Sequence, residues 1–161
     1  MGGQERSVLS LTPWLAQADQ GETVYFGQDN LYPGDDPRHR ALEKARHLPL
    51  EANTLYVIAS PLLGYGVQEL CTRLPVGSRL VSVELLADLV PFTRSVPDVP
   101  FWHPGGHESP KDLSRRIMAD MGPLRAIRRV VVVSLNRGAR LASEEYRELE
   151  CALKDDLLSY W

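Results

Sequence analysis

The stretch that decides the fold is Thr54–Ala59, with the sequence TLYVIA, together with the segments that follow it. A continuous run of apolar, β-favouring residues is typical of a strand covered on both faces, as in parallel sheets. A loop follows at residues 60–66, residues 67–74 show the apolar spacing of a short helix, and residues 79–84 form a second β-favouring run. Strand, loop, helix and strand in this order predict a βαβ unit with a right-handed crossover.

The rest of the chain continues this alternation. The patterns predict short strands at 24–26 and 101–102, a buried strand at 128–134, and helices at 38–47, at 110–121 and from Ser143 to about Tyr160. Alternating strands and helices predict a Rossmann-like three-layer α/β sandwich with a mostly parallel sheet. We expect a single domain over residues 1–161, with a small N-terminal extension at about residues 1–36.

Helix starts are predicted from capping residues. Asp36 followed by Pro37, and Ser109 followed by Pro110, combine a side chain that accepts hydrogen bonds from helix amides with a proline suited to the first turn. Ser143 is predicted to cap the last helix in the same way.

Charge and composition restrict the function. The chain has 18 lysines and arginines against 21 aspartates and glutamates, a formal net charge of −3. Without a broad basic field, a nucleic-acid partner is not expected, because such affinity depends on neutralising phosphates. Cys71 and Cys151 are too few for a disulfide framework and suit a reducing compartment. No apolar run approaches a membrane span, so no span is expected and the predicted location is the cytoplasm.

The candidate ligand site consists of Ser60, Gly64, Tyr65 and Gly66, at the predicted carboxyl end of the first strand, and Glu84, at the end of the next one. Open α/β sheets bind ligands at this end of their strands, and glycines there let the backbone approach a ligand. A carboxylate at the place of Glu84 accepts hydrogen bonds from a ribose in nucleotide-binding folds. We therefore expect the loop and Glu84 to meet at one rim of the sheet.

A purely structural explanation of these residues stays open. Gly64 and Gly66 are also what a tight strand-to-helix turn requires, and Glu84 would then be a solvated strand end. The loop departs from a glycine-rich pattern at Ser60 and Leu62, and a leucine side chain tends to fill the space that a phosphate or cofactor needs. The sequence therefore leaves the cofactor unknown.

Other side chains are weaker candidates. His103 and His107 lie in a proline- and glycine-rich loop, but a metal site needs further ligands, so a solvated loop is expected. Trp14, Trp102 and Trp161 are candidate anchors, although tryptophan also fills cores and interfaces without any role in catalysis. The sequence contains no Ser-His-Asp, Cys-His or phosphate-loop lysine pattern.

Four pieces of sequence occur in the order found in one known family. They are Asn-Leu-Tyr-Pro-Gly-Asp-Asp-Pro at residues 30–37, Gly-Tyr-Gly-Val-Gln-Glu-Leu at 64–70, Val-Ser-Val-Glu at 81–84, and Arg-Arg-Val-Val at 128–131 with Tyr-Arg-Glu-Leu at 146–149. Together they resemble the N-terminal domain of the motility accessory factor proteins, which belong with the MptE-like (6-hydroxymethylpterin pyrophosphokinase-like) group.

The resemblance implies a role connected with the transfer of nonulosonic sugars to flagellin in the bacterial cytoplasm. Two features differ from the family pattern. The family loop reads Gly-x-Gly-x-Gly-Tyr, whereas Ser60 and Leu62 stand in place of its first two glycines. The family's proteins also continue into a larger second domain associated with transfer, which this chain does not include.

Three functional hypotheses result. The first is a stand-alone, non-catalytic Rossmann-like accessory or interaction domain related to flagellar motility and flagellin glycosylation, with a flagellar protein as the candidate partner. The second is an S-adenosylmethionine-dependent methyltransferase-like domain. The order of strand, loop, helix and acid-ended strand in this chain fits that class as well. The third is a nucleotide- or nucleotide-sugar-binding domain whose ligand contacts the loop at Gly64 and Gly66.

Overall fold

The structure, a computed structural model, describes residues 12–159. After an antiparallel beginning, helices and strands alternate from Pro37 onward, with a 3₁₀ helix at Ala87–Phe92 in place of an α-helix between the strands Arg79–Val83 and Phe101–Trp102. In chain order the elements are β1 Pro13–Ala18, β2 Gly21–Phe26, β3 Asp29–Asn30, α1 Pro37–His47, β4 Thr54–Ala59, α2 Val67–Arg73, β5 Arg79–Val83, β6 Phe101–Trp102, α3 Pro110–Met121, β7 Arg129–Val133 and α4 Ser143–Leu158.

The central sheet has four strands, all parallel, in the spatial order β6-β5-β4-β7. Strand β4 pairs with β5 on one edge and with β7 on the other, in a register that places Ile58 beside Ser82 and Val133. All six residues of β4 are buried, as expected for a strand covered on both faces. The predicted parallel βαβ unit is therefore confirmed.

Helices cover both faces of this sheet. The side chains of β4 alternate between two apolar cores, with Tyr56 and Ile58 in one and Leu55, Val57 and Ala59 in the other. The first core includes buried residues of α1 and α2, and the second includes buried residues of α3 and α4. The period-two alternation of strand side chains thus builds the Rossmann-like three-layer α/β sandwich that the sequence predicts.

A second, three-stranded antiparallel sheet precedes α1, with the order β1-β2-β3. Val24 of this sheet, and Leu31 and Tyr32 directly after it, are buried in the same core as α1 and α2. Residues 12–36 of the predicted N-terminal extension are therefore packed against the parallel sheet's helical layer, while residues 1–11 lie outside the described part of the chain.

Two of the three predicted helix caps are confirmed. Asp36 accepts a hydrogen bond from the His39 amide (3.0 Å), and Ser109 accepts one from the Asp112 amide (3.1 Å). The predicted cap at Ser143 is wrong, because a 3₁₀ turn over Gly138–Ala142 runs directly into α4 and makes Ser143 its first helical residue.

Three predicted elements are slightly longer than the observed ones: α2 ends at Arg73, β5 ends at Val83, and β7 runs from Arg129 to Val133. The predicted end of the last helix near Tyr160 lies outside the described residues. Among residues 12–159, no helix combines the length and the apolar character that a membrane-spanning segment requires.

The close packing of α2 against α1 can be tested at Gly66, which precedes α2 with φ +83°. A Cβ atom there would lie 2.8 Å from the Ala41 backbone oxygen and 3.1 Å from Leu135 Cδ1. We expect Gly66→Ala to lower the free energy of unfolding by about 2 kcal/mol or more, through backbone strain and overpacking. Urea denaturation measures this change.

The matched control is Gly105→Ala, because Gly105 has open space around its Cβ position. Its free energy of unfolding should stay within about 0.5 kcal/mol of the wild type. A Gly66→Ala protein as stable as this control would contradict the close approach of α1 and α2.

Candidate functional site

The loop after β4 and the residue after β5 meet at the carboxyl edge of the sheet. Ser60 Oγ donates a hydrogen bond to Glu84 Oε1 at 2.6 Å, and the Ser60 amide donates to the Val83 carbonyl at 2.9 Å. Parallel strands end at the same edge of a sheet, so residues that follow neighbouring strands lie side by side. The predicted meeting of the loop with Glu84 at one rim is confirmed.

Glu84 is buried rather than solvated, with 1% of its surface exposed. Its Oε2 accepts a hydrogen bond from the Leu86 amide (3.2 Å) and lies 3.4 Å from the Tyr146 hydroxyl oxygen. Burial disfavours the charged carboxylate and raises the pKa of Glu84 to about 7, against the opposing effect of its hydrogen bonds. The alternative in which Glu84 is a solvated strand end is therefore wrong.

Tyr146 of α4 ties this carboxyl to the helical layer. Its hydroxyl donates to the Val83 carbonyl at 2.8 Å and accepts from the Leu85 amide at 3.2 Å. Burial, and then the nearby Glu84, raise the pKa of Tyr146 well above its ordinary value, so the hydroxyl keeps its proton. Both oxygens of Glu84 are thus occupied by groups of the protein itself.

The loop after β4 has four residues in the left-handed conformation that favours glycine, but only two of them are glycines. Alternate residues are left-handed, with φ +56° at Ser60, +46° at Leu62, +79° at Gly64 and +83° at Gly66. Non-glycine residues in this region are strained by about 1–3 kcal/mol each, so the surrounding packing must hold Ser60 and Leu62 there. These two are the positions at which the family pattern has glycine.

Side chains fill the space inside this loop. Leu62 is completely buried in the core beside α1 and α2, and Tyr65 is 7% exposed, with its hydroxyl donating to the Glu22 carbonyl at 3.0 Å. At Gly64 the missing side chain lets Val96 approach, since a Cβ would lie 3.1 Å from Val96 Cγ2. The glycine therefore accommodates a neighbouring segment of the protein.

Tyr32, from the segment between β3 and α1, occupies the polar centre of the loop. Its hydroxyl accepts a hydrogen bond from the Leu63 amide (3.1 Å) and donates to the Pro61 carbonyl (3.3 Å). Burial raises the pKa of Tyr32 above its ordinary value, which keeps this hydroxyl protonated. The Leu63 amide of the loop is therefore already bonded within the protein, and ligand binding by the five predicted site residues stays a prediction.

An open cleft lies next to this closed loop, at the point where the strand order reverses. The chain passes from β4 to β5 and β6 on one side and then returns to β7 on the other side of β4. In open α/β sheets, ligands bind in the crevice at such a topological switch point. The cleft has a volume of about 330 Å³ and is lined by Tyr32, Pro33, Pro37, Arg40, Ala41, Lys44, Ser134, Leu135, Asn136, Arg137, Ala139 and Arg140.

Asn136 joins the two loops that flank the switch point. Its side-chain amide donates to the Ser60 carbonyl at 2.8 Å, and its oxygen accepts from the Gly138 amide at 2.7 Å. A Cβ at Gly138 would overlap Ser60 Oγ, so this glycine permits the close approach of the loops. The floor of the cleft is thereby fixed to the end of β4.

Sequence reasoning did not single out Tyr32, Arg40, Lys44, Asn136 or Arg140 as site residues. Asn136 was visible only as part of a turn after a predicted strand, and Arg40 and Lys44 only as polar residues of a helix. The signal that connects them is the strand order, because it decides which two loops flank the switch point. Periodicity along one chain does not give that order.

The weaker candidates take ordinary structural places. Within residues 12–159 no group of three His, Cys, Asp or Glu side chains could hold a metal ion, so His103 and His107 gain no further ligands. Trp102 donates from Nε1 to Asp120 Oδ2 at 2.9 Å, and Trp14 stacks on a tyrosine of β2. The third tryptophan, Trp161, lies outside the described residues.

No protein-family model matches this chain, and no solved structure matches it. A curated protein from Treponema pallidum (strain Nichols), described as an uncharacterized protein, is 32% identical over 87 residues. The match covers 52% of this chain and 15% of that protein, so the chain spans a small part of its relative's length. The resemblance to the motility accessory factor proteins stays a prediction.

The buried Glu84 carboxyl predicts how stability depends on pH. Folding raises its pKa from 4.5 to about 7, so between these values the folded protein holds a proton that the unfolded chain has lost. The free energy of unfolding contributed by this group should therefore be largest below pH 4.5 and fall as the pH rises to about 7. Urea denaturation at a series of pH values measures it.

Glu84→Gln keeps the shape of the side chain and cannot ionise, so this variant should lose less stability than the wild type over the same pH range. Glu148→Gln is the matched control, because Glu148 is an exposed carboxyl on α4, and it should keep the wild-type profile. If the free energy of unfolding changed with pH in the same way for the wild type and Glu84→Gln, the raised pKa of Glu84 would be contradicted.

Proposed function

We propose that this chain is a Rossmann-like binding domain that holds a small ligand in the cleft at the switch point and acts as an accessory module rather than as a catalyst. The observation that carries the proposal is the position of the cleft, between α1 and the segment that follows β7, next to the switch point in the strand order. Its volume of about 330 Å³ lies within the range of small-molecule sites.

The lining of the cleft favours binding over chemistry. The described lining contains Ser134, but it has no Asp, Glu, His or Cys side chain, so that no carboxylate or imidazole of this lining can act as the general base for the serine hydroxyl. Ser134 and Arg140 supply polar groups, and Pro33, Ala41 and Leu135 supply apolar surface. Few, well-placed polar groups on an apolar wall are typical of a recognition site.

The closed loop supports an accessory role over methyl transfer. In the methyltransferase-like hypothesis the acid at the end of the second strand would face a ribose, but Glu84 is bonded to Ser60 and to the Leu86 amide. The sequence resemblance supplies the proposed setting, which is flagellin glycosylation in the cytoplasm with a flagellar protein as partner.

Thermal-shift measurements with CMP-sugars, nucleoside triphosphates and S-adenosylmethionine test the proposal, because the three hypotheses name these ligand classes. A ligand at 100 times its Kd stabilises the folded state by about 2.7 kcal/mol, which for a domain of this size raises Tm by several degrees. We expect a member of the first two classes to produce such a shift with the full chain.

Ala139→Phe locates the binding site, because Ala139 lines the cleft and the larger ring would fill it. This variant should lose the shift while keeping the far-UV circular dichroism of the wild type. Ala126→Phe is the matched control, since Ala126 is exposed just before β7, at the opposite edge of the sheet. No shift with any ligand, or a shift that Ala139→Phe leaves intact, would overturn the proposed function.

A further inference from the structure

Four basic side chains line the cleft at the switch point. Arg40 and Lys44 have i, i+4 spacing on α1, so they share one face of that helix. Arg137 and Arg140 come from the segment that follows β7. No acidic side chain lines this cleft within residues 12–159. Positive charge from two separate parts of the chain is thus brought to one concave surface.

These four cations lack acidic partners. In the described part of the chain none of them forms a salt bridge, although acidic residues outnumber basic ones by 21 to 18. Other basic side chains do pair with carboxylates, namely Arg46, Arg94, Arg115, Arg116, Arg129 and Lys154. A concentration of unpaired positive charge on an otherwise acidic protein attracts anions.

The cations also lie close enough for their positive charges to repel one another. Partial burial, followed by the charge of Arg140, lowers the pKa of Lys44 from its ordinary value. Arg40 has only a neutral acceptor, the Pro33 carbonyl at 3.3 Å. A bound anion would offset this repulsion, which the protein's own side chains leave uncompensated.

A second cleft of about 300 Å³ adjoins the first one and shares Ser134, Ala139 and Arg140 with it. Its lining includes the hydroxyl of Ser143, the guanidinium of Arg147 and the carboxylate of Glu150, which also pairs with a lysine of α4. The first cleft is thus lined by cations and neutral groups, whereas the second combines hydroxyl groups with side chains of both charges. This arrangement suits a ligand with a phosphate end and a hydroxyl-bearing organic end.

We propose that the ligand is an organic phosphate or diphosphate whose phosphate oxygens contact Arg40, Lys44, Arg137 and Arg140, while its organic part occupies the adjoining cleft. This inference rests on the proposed binding function and names the chemistry of its ligand. Guanidinium groups bind phosphate oxygens with paired hydrogen bonds, and an ammonium adds a compact charge.

Isothermal titration calorimetry with inorganic pyrophosphate tests the proposal on the full chain. The wild type should bind pyrophosphate, and binding should weaken as salt is added, because the contacts are ionic. Arg140→Gln and Lys44→Gln should each weaken binding by about tenfold or more, the loss expected for one charged hydrogen bond. Arg79→Gln, which removes an exposed cation at the start of β5, is the matched control and should leave binding unchanged.

The outcomes separate this inference from the function on which it rests. If an organic ligand binds and Ala139→Phe abolishes its binding, but pyrophosphate does not bind or Arg140→Gln and Lys44→Gln have no effect, the phosphate contacts are wrong and the binding function stands. If neither pyrophosphate nor any organic ligand binds the wild type, both proposals fall. Loss of pyrophosphate binding in Arg79→Gln would contradict the proposal, because it would show that cations outside the cleft bind the anion.

Discussion

The parallel pairing of β4 with a neighbour on each edge is the constraint on which the rest of the structure depends. Because β4 lies between β5 and β7, its two faces carry separate cores and neither of its edges meets solvent. The chain must then leave the carboxyl end of β4 in a tight loop and return later to form β7 beside it. The reversal of strand order between β4 and β7 creates the crevice, and a hydrogen bond from Asn136 to the Ser60 carbonyl ties the segment after β7 to the end of β4.

The loop after β4, which is closed by the protein's own side chains, and the open cleft at the switch point lie at the same edge of the sheet. In that loop and at the end of β5, the side chains of Glu84, Tyr146 and Tyr32 form hydrogen bonds with polar groups of the turn. Within residues 12–159 no buried side-chain nitrogen or oxygen lacks a hydrogen-bond partner. Such complete internal bonding stabilises the strained backbone at Ser60 and Leu62, and the open cleft beside α1 is where we propose that a ligand binds.

Much of the fold could be predicted from the sequence because its signals are local. The apolar run of β4, the four valines of β7 and the capping residues Asp36 and Ser109 each indicate one element without reference to the others. The contact between Ser60 and Glu84 could be predicted as well, since two consecutive parallel strands end at one rim. Ser143 failed as a cap because a 3₁₀ turn, which has no clear sequence signal, leads straight into α4.

The open cleft could not be predicted, for a physical reason. Its walls come from α1 and from the segment after β7, which are far apart in the sequence and adjoin only because β7 returns to the side of β4 away from β5. Tyr32 likewise reaches the loop across a long sequence separation, and no periodicity marks it. A crystal structure of the full chain soaked with inorganic pyrophosphate tests most directly where ligands enter. We predict density for the anion between Lys44 and Arg140; density against the loop at Leu62 instead, or none beside those two cations, would contradict entry at the switch point.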